Sequence, residues 1–182
     1  MRVKKIAIIG PESTGKTTLC NTLAQHFNCT WVPEYARHYL ETKGTAYTFE
    51  NLKEIADGQI ELEQAALATL KINKINTTPI LISDTNLIVI KVWSEYVFNK
   101  CDNSILSQIA FQIYDGYILC NTDVPWVKDN LREYPKITDR EKLFHFYKEE
   151  LAGQHTPWVI IKGNYKERTI AAIKFIEQII TK

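Results

Sequence analysis

The chain has 182 residues, enough for one domain with a proper core and too few for two. Its 22 basic residues against 21 acidic ones leave a formal net charge of +1, which offers no electrostatic footprint for nucleic acid or an anionic membrane surface. Four widely spaced cysteines without a C-x-x-C pair argue against zinc and thiol-redox chemistry, and no apolar stretch approaches the length of a membrane span.

Taken in chain order, residues 3–9 read as a buried strand that runs straight from the N-terminus and leaves no room for a signal peptide, so the expected location is the cytoplasm. Gly10-Pro11-Glu12-Ser13-Thr14-Gly15-Lys16-Thr17-Thr18 follows and fits G-x-x-x-x-G-K-[ST]. The backbone N–H groups of such a loop turn inward to cradle phosphate oxygens, Lys16 reaches the β- and γ-phosphates, and the Thr17 hydroxyl is placed to hold Mg²⁺. Residues 18–27 then read as an amphipathic helix, which completes the strand, loop and helix order that the motif needs. The loop therefore predicts a site for ATP with Mg²⁺, contacted by Gly10, Glu12, Ser13, Thr14, Gly15, Lys16, Thr17 and Thr18.

Further apolar runs at 30–33, 79–83, 117–120 and 158–161 read as central strands of a parallel sheet, separated by helical patterns. Five strands with helical crossovers predict an α/β fold, a three-layer sandwich around a five-stranded parallel sheet in one domain spanning 1–182. Ligands of open α/β sheets bind beyond the carboxyl ends of the strands, so the residues after each run map a site. These are Glu34-Tyr35-Ala36-Arg37, Asp84-Thr85-Asn86, Asn121-Thr122-Asp123 and Lys162-Gly163-Asn164-Tyr165. Residues 49–75 read as one long helix, and 127–152 as mostly polar helix interrupted by Pro135, the arrangement of a hinged helical lid.

Phosphoryl transfer needs a clamped triphosphate, a metal, an oriented nucleophile and positive charge over the transferring group. Glu34 can take a proton from a substrate hydroxyl or hold it in line, as can Asp84, which also stands where many such enzymes hold a metal-bound water. The alternatives are structural: Glu34 as a helix-start acid, Asp84 as a helix cap, Arg37 as half of an ion pair. The sequence does not separate Glu34 from Asp84 as base. In the lid, Arg132 is the leading candidate to neutralise charge on the transferring phosphoryl, with Arg140 behind it. Asn164 and Tyr165 are expected near the adenine, or else in an ordinary helix-entry turn. Among Trp31, Tyr35, Trp93, Tyr96, Trp126 and Trp158, Tyr35 is favoured as a stacking platform because it sits between two site candidates.

These segments resemble the nicotinamide riboside kinase domain of bacterial NadR proteins and the small phosphate-loop kinases around it. Pro33-Glu34-Tyr35-Ala36-Arg37, Asp84-Thr85-Asn86 and Asp129-Asn130-Leu131-Arg132 carry the likeness together with the loop. The resemblance implies ATP and Mg²⁺ at Lys16 and Thr17, with metal also at Asp84, a riboside near Glu34, Tyr35, Arg37 and Asp84, and a lid carrying Arg132. Asn86 stands where the family has a second acid, and Pro33 where it has an aromatic. Without an adenylyltransferase region ahead of the kinase strand, joining a mononucleotide to ATP is not expected. The rival expectations are a nucleotide-dependent regulatory module and a kinase for nucleoside monophosphates, which would need a basic pocket from Arg37 and His38.

Overall fold

The computed structural model describes residues 2–72 and 78–181. Among them five strands form one all-parallel sheet in the order β2-β3-β1-β4-β5: β1 (Lys4–Ile9), β2 (Thr30–Val32), β3 (Ile80–Asp84), β4 (Gly116–Cys120) and β5 (Trp158–Ile161). Seven helices fill the connections: α1 (Lys16–Phe27), α2 (Tyr35–Lys43), α3 (Phe49–Ile72), α4 (Leu87–Phe98), α5 (Asn103–Phe111), α6 (Ile137–Ala152) and α7 (Tyr165–Ile180). The end of the predicted 49–75 helix lies outside the described residues.

Side chains alternate across a strand, so each strand serves both faces of the sheet. Ile6, Ile8, Ile82, Ile118 and Cys120 meet Leu19, Leu23, Ala172 and Ile176 from α1 and α7 on one side. Ala7, Ile9, Tyr117 and Leu119 meet Ile88, Val92, Leu143, Tyr147 and Leu151 from α4 and α6 on the other. β1, β3 and β4 are buried on both faces, which is why they read as unbroken apolar runs rather than alternating ones. All five strands point their carboxyl ends to the same edge, and the site forms there.

Two boundaries bear on function. β3 runs through Asp84, so this carboxylate belongs to the rigid sheet rather than to the loop after it. Helix occupies only Ile137–Ala152 of the predicted 127–152 span; Pro135 stands before it, and residues 127–136 cross the mouth of the site as irregular chain. α6 is polar on one face only, because Leu143, Tyr147 and Leu151 are buried in the core. No helix among the described residues is long and apolar enough to cross a membrane, and the four cysteines are free.

Candidate active site

The phosphate loop is shaped by close approach to the sheet. Gly10 has φ +140°, and a Cβ there would come 2.8 Å from the Cys120 carbonyl oxygen, so only glycine lets the loop turn off β1 against β4. Ser13, although not glycine, sits at φ 55°, and Thr14 Oγ donates to the Pro11 carbonyl at 2.7 Å, tightening the turn. α1 opens at Gly15 without a side-chain cap and without an acid in its first turn. Its N-terminal N–H groups and the positive end of its dipole therefore face the loop, a ready site for an anion. The Lys16 ammonium donates to the Pro11 carbonyl at 3.0 Å, close enough to the cradle to swing onto a phosphate. All nine residues from Gly10 to Thr18 line one cleft.

Glu34 stands on the wall of that cleft, and Asp84, which does not line it, lies buried beneath Thr17. Thr17 Oγ donates to Asp84 Oδ2 at 2.5 Å, while Asp84 Oδ1 is buried without a hydrogen-bond partner. Burial, and then the charge of Glu34, push the Asp84 carboxyl up to about 6, against the opposing pull of Lys16, Thr17 and Arg37. Glu34 itself lines the cleft and occupies the N-cap position of α2, yet makes no capping hydrogen bond. Its carboxylate is thus not consumed by the helix start. The capping alternative for Asp84 is corrected by the next helix: Asn86 is the cap of α4, its Oδ1 accepting from the Ile88 N–H at 3.1 Å. Asn86 therefore has a structural duty that an amide meets without another buried charge. Thr85, between them, lines the cleft at φ 70°, an uncommon conformation for a β-branched residue.

Beyond the acids the cleft becomes apolar, with walls from α2, α3 and α4 that include Leu40, Leu52, Ile55, Val89 and Ile90. Tyr47 and Trp93 close this end; Trp93 Nε1 donates to the Tyr47 hydroxyl at 2.7 Å, and that hydroxyl donates to Glu133 at 3.4 Å. Of the six aromatics weighed from the sequence, Trp93 and not Tyr35 lines the cleft. The Tyr35 ring instead packs on α3, where a Cβ at Gly58 would fall 2.2 Å from its Cε1, and its backbone N–H donates to Gln59 Oε1 at 2.8 Å. Buried Gln59, which the sequence reading passed over, also donates to the Pro33 carbonyl at 3.2 Å and so fixes the turn that presents Glu34. Arg37 lines the cleft but is paired with Asp129 at 2.9 Å; His38 is exposed and does not line it.

Three arginines organise the loop's outer side. Arg132 donates to the Val127 carbonyl at 2.5 Å, reaches Ser13 Oγ at 3.4 Å, and lies over Trp126. Arg140 is buried on α6 and donates to the carbonyls of Glu12 and Ser13, both at 3.2 Å. Arg168 on α7 is also buried; it donates to the carbonyls of Thr14 at 2.8 Å, Gly163 at 2.9 Å and Asn121 at 3.0 Å, and pairs with Asp123. Arg140 and Arg168 hold the loop by its carbonyls, which leaves the N–H groups on the other side for phosphate. Arg168 escaped the sequence reading although it carries a signal: it falls in the buried stripe of α7 with Ala172, Ile176 and Ile179. Asn164 serves as the cap of α7 in a reciprocal pairing with Glu167, and exposed Tyr165 lies beside Gly15. Neither lines the cleft, so the helix-entry reading describes Asn164.

Comparisons with known proteins bear on the family and the fold. The family profile described as an AAA domain, AAA_28, matches residues 5–168. The trifunctional NAD biosynthesis/regulator protein NadR of Salmonella typhimurium and that of Escherichia coli are each 26% identical over 183 residues, covering 98% of this chain and 43% of theirs. The chain thus spans less than half the length of the curated relatives it matches. A crystal structure of NadR protein in complex with NR superposes with a TM-score of 0.75 at 22% identity, over 99% of this chain and 50% of that one. Another, in complex with NAD and AMP-PNP, gives 0.73 at the same identity and coverage. Thymidylate kinase from Ehrlichia chaffeensis gives 0.64 at 14% identity, over 97% of this chain and all of that one. At such identities the structural likenesses establish the fold, that of phosphate-loop nucleoside and nucleotide kinases. The family match covers nearly the whole sheet and every loop at its carboxyl edge, and the chain belongs to the AAA-domain family AAA_28.

Proposed function

We propose that this chain is an ATP-dependent kinase that transfers the γ-phosphoryl group of ATP to the 5′-hydroxyl of a small nucleoside, nicotinamide riboside, yielding nicotinamide mononucleotide and ADP. One observation carries the reading: a single cleft joins the phosphate loop and its Thr17–Asp84 pair, through Glu34, to an apolar chamber closed by Tyr47 and Trp93. A planar ring suits the chamber, and a hydroxyl attached to that ring's sugar would emerge beside Glu34. The likeness to NadR proteins, one of them crystallised with NR, supports the choice of riboside. At the chamber's closed end Glu133 accepts from the Tyr47 hydroxyl at 3.4 Å, an acid placed where a positive ring would gain from one.

Thr17 Oγ and the unpartnered Asp84 Oδ1 fit Mg²⁺, a hard cation that takes oxygen donors and keeps several waters. Among the described residues no cluster of three or more His, Cys, Asp or Glu could hold a metal, as expected where phosphates supply the remaining ligands. When bound, the ion would neutralise charge on the β- and γ-phosphates. Asp84 lies buried under Thr17, so we assign it to the metal and assign the base to Glu34, which lines the cleft. Glu34 takes the proton of the acceptor hydroxyl as its oxygen bonds to the γ-phosphorus; the bond to the bridging oxygen breaks and ADP leaves with that oxygen. Lys16 exchanges the Pro11 carbonyl for phosphate, and Arg132, beside Ser13, offsets charge on the group in transfer.

A monophosphate acceptor fits less well, because Arg37 is neutralised by Asp129. The test is ADP release from Mg-ATP across nucleosides and nucleoside monophosphates, with a control lacking acceptor. The proposal expects release that depends on nicotinamide riboside and is lost in Lys16→Ala. Release at one rate whatever the acceptor would favour the regulatory module instead.

A further inference from the structure

Glu12 sits within the phosphate-binding motif, but its carboxylate is taken up by backbone N–H groups of the 127–136 segment. Its Oε2 accepts from the backbone N–H groups of Glu133 and Tyr134, both at 3.0 Å, and Oε1 accepts from the former at 3.2 Å. Arg132 is the neighbour of Glu133, and its guanidinium reaches back to Ser13 Oγ at 3.4 Å. A second stitch runs from the Val127 N–H to Ser13 Oγ at 2.9 Å, and the far side of the segment is moored by the Asp129–Arg37 pair. The loop motif and the 127–136 segment are therefore sewn together at both ends of the arginine.

We propose that Glu12 is a positioning residue: its carboxylate clamps the backbone at 133 and 134 and so sets Arg132 over the phosphate loop. Closing the segment and delivering the arginine are then a single event. The chemistry explains the residue type. Two N–H donors converge on one oxygen, and a charged acceptor binds them more strongly than a neutral one. Glutamine can place its carbonyl oxygen where Oε2 stands and accept both N–H groups without the charge, so the expected order of function is Glu, then Gln, then Ala. In its effect on rate the inference rests on the kinase reading above; the clamp itself does not.

The experiment compares wild type, Glu12→Gln, Glu12→Ala, Arg132→Ala and the Glu12→Ala/Arg132→Ala double variant. Amide hydrogen exchange at Glu133 and Tyr134, in the protein without nucleotide, should be about tenfold faster or more in Glu12→Ala and intermediate in Glu12→Gln. Turnover in Glu12→Ala should fall by about ten- to a hundredfold in kcat with KM for ATP changed by less than about threefold. The double variant should be no more than about twofold slower than Arg132→Ala, because Glu12 acts through the arginine. Unchanged exchange at the two amides, or losses that multiply in the double variant, would overturn the proposal. If Glu12→Ala fails to fold, Glu12→Gln carries both readouts. If wild type shows no acceptor-dependent turnover, the kinase reading falls while the exchange data still decide the clamp.

Discussion

Asp84→Asn removes one buried charge from beneath Thr17 while keeping the side chain's shape, and its effect on stability has a sign that the structure dictates. Burial and the neighbouring Glu34 push the Asp84 carboxyl from 3.8 up to about 6. An acid whose folded value lies above its unfolded one holds its proton more tightly in the fold. Its stabilising contribution is therefore complete below about pH 4, declines as pH rises to about 6, and changes no further beyond that. The difference amounts to roughly 3 kcal/mol across the interval, or about 6–12 °C in Tm for a domain of this size. The Asn amide nitrogen, placed where Oδ1 has no partner, carries its own cost of about 1–3 kcal/mol, but that cost does not vary with pH. The slope is the measurement, not the offset. Thermal unfolding of both proteins in chelator, without nucleotide, should show Asp84→Asn gaining on wild type between about pH 4 and pH 6 and running parallel above. A gap that stays constant with pH, or that moves in favour of wild type as pH rises, would refute the assignment of Asp84 as a buried carboxylate ionised at a cost.

Glu34→Gln should lower the Asp84 transition by removing the like charge, readable as a downfield carboxyl carbon titrating at lower pH. The same variant should reduce kcat by about 10² to 10⁴ if Glu34 is the base, whereas loss below about tenfold would return that role to Asp84. Asp84→Asn should lose more rate than Arg37→Ala, because Arg37 is paired with Asp129 rather than offered to substrate; equal, slight losses in steady-state turnover would sink the role of Asp84. Arg168→Met removes the buried donor of three carbonyls and leaves only the exposed Asp123 unpaired, so chemical denaturation should show about 1–3 kcal/mol lost.

Local signals made much of this legible. The phosphate loop is contiguous, and strands buried on both faces announce themselves as apolar runs, so the loop, the sheet and the carboxyl edge followed from reading the chain forward. Asp84 and Glu34 were found because they end such runs. Residues whose work is tertiary were missed or, like Arg140, expected in another role, since it stood second as the arginine to neutralise phosphoryl charge. Arg140 and Arg168 serve backbone carbonyls far away in sequence, and Gln59 reaches from α3 to the turn before Glu34; no spacing rule encodes those partners. Tyr35 was favoured for its place between site residues, but helical geometry aims its ring at Gly58. The polar helix expected over 127–152 hid its buried stripe of Arg140, Leu143, Tyr147 and Leu151 because the stripe begins at an arginine, which reads as surface until its acceptors are seen.

The central claim is that this cleft moves phosphate from ATP to a riboside hydroxyl. Incubation with γ-labelled Mg-ATP and nicotinamide riboside, followed by separation of products, tests it most directly. The account predicts label in nicotinamide mononucleotide, formed one for one with ADP and absent in Lys16→Ala. Label found only in inorganic phosphate, released as fast without the riboside as with it, would contradict it.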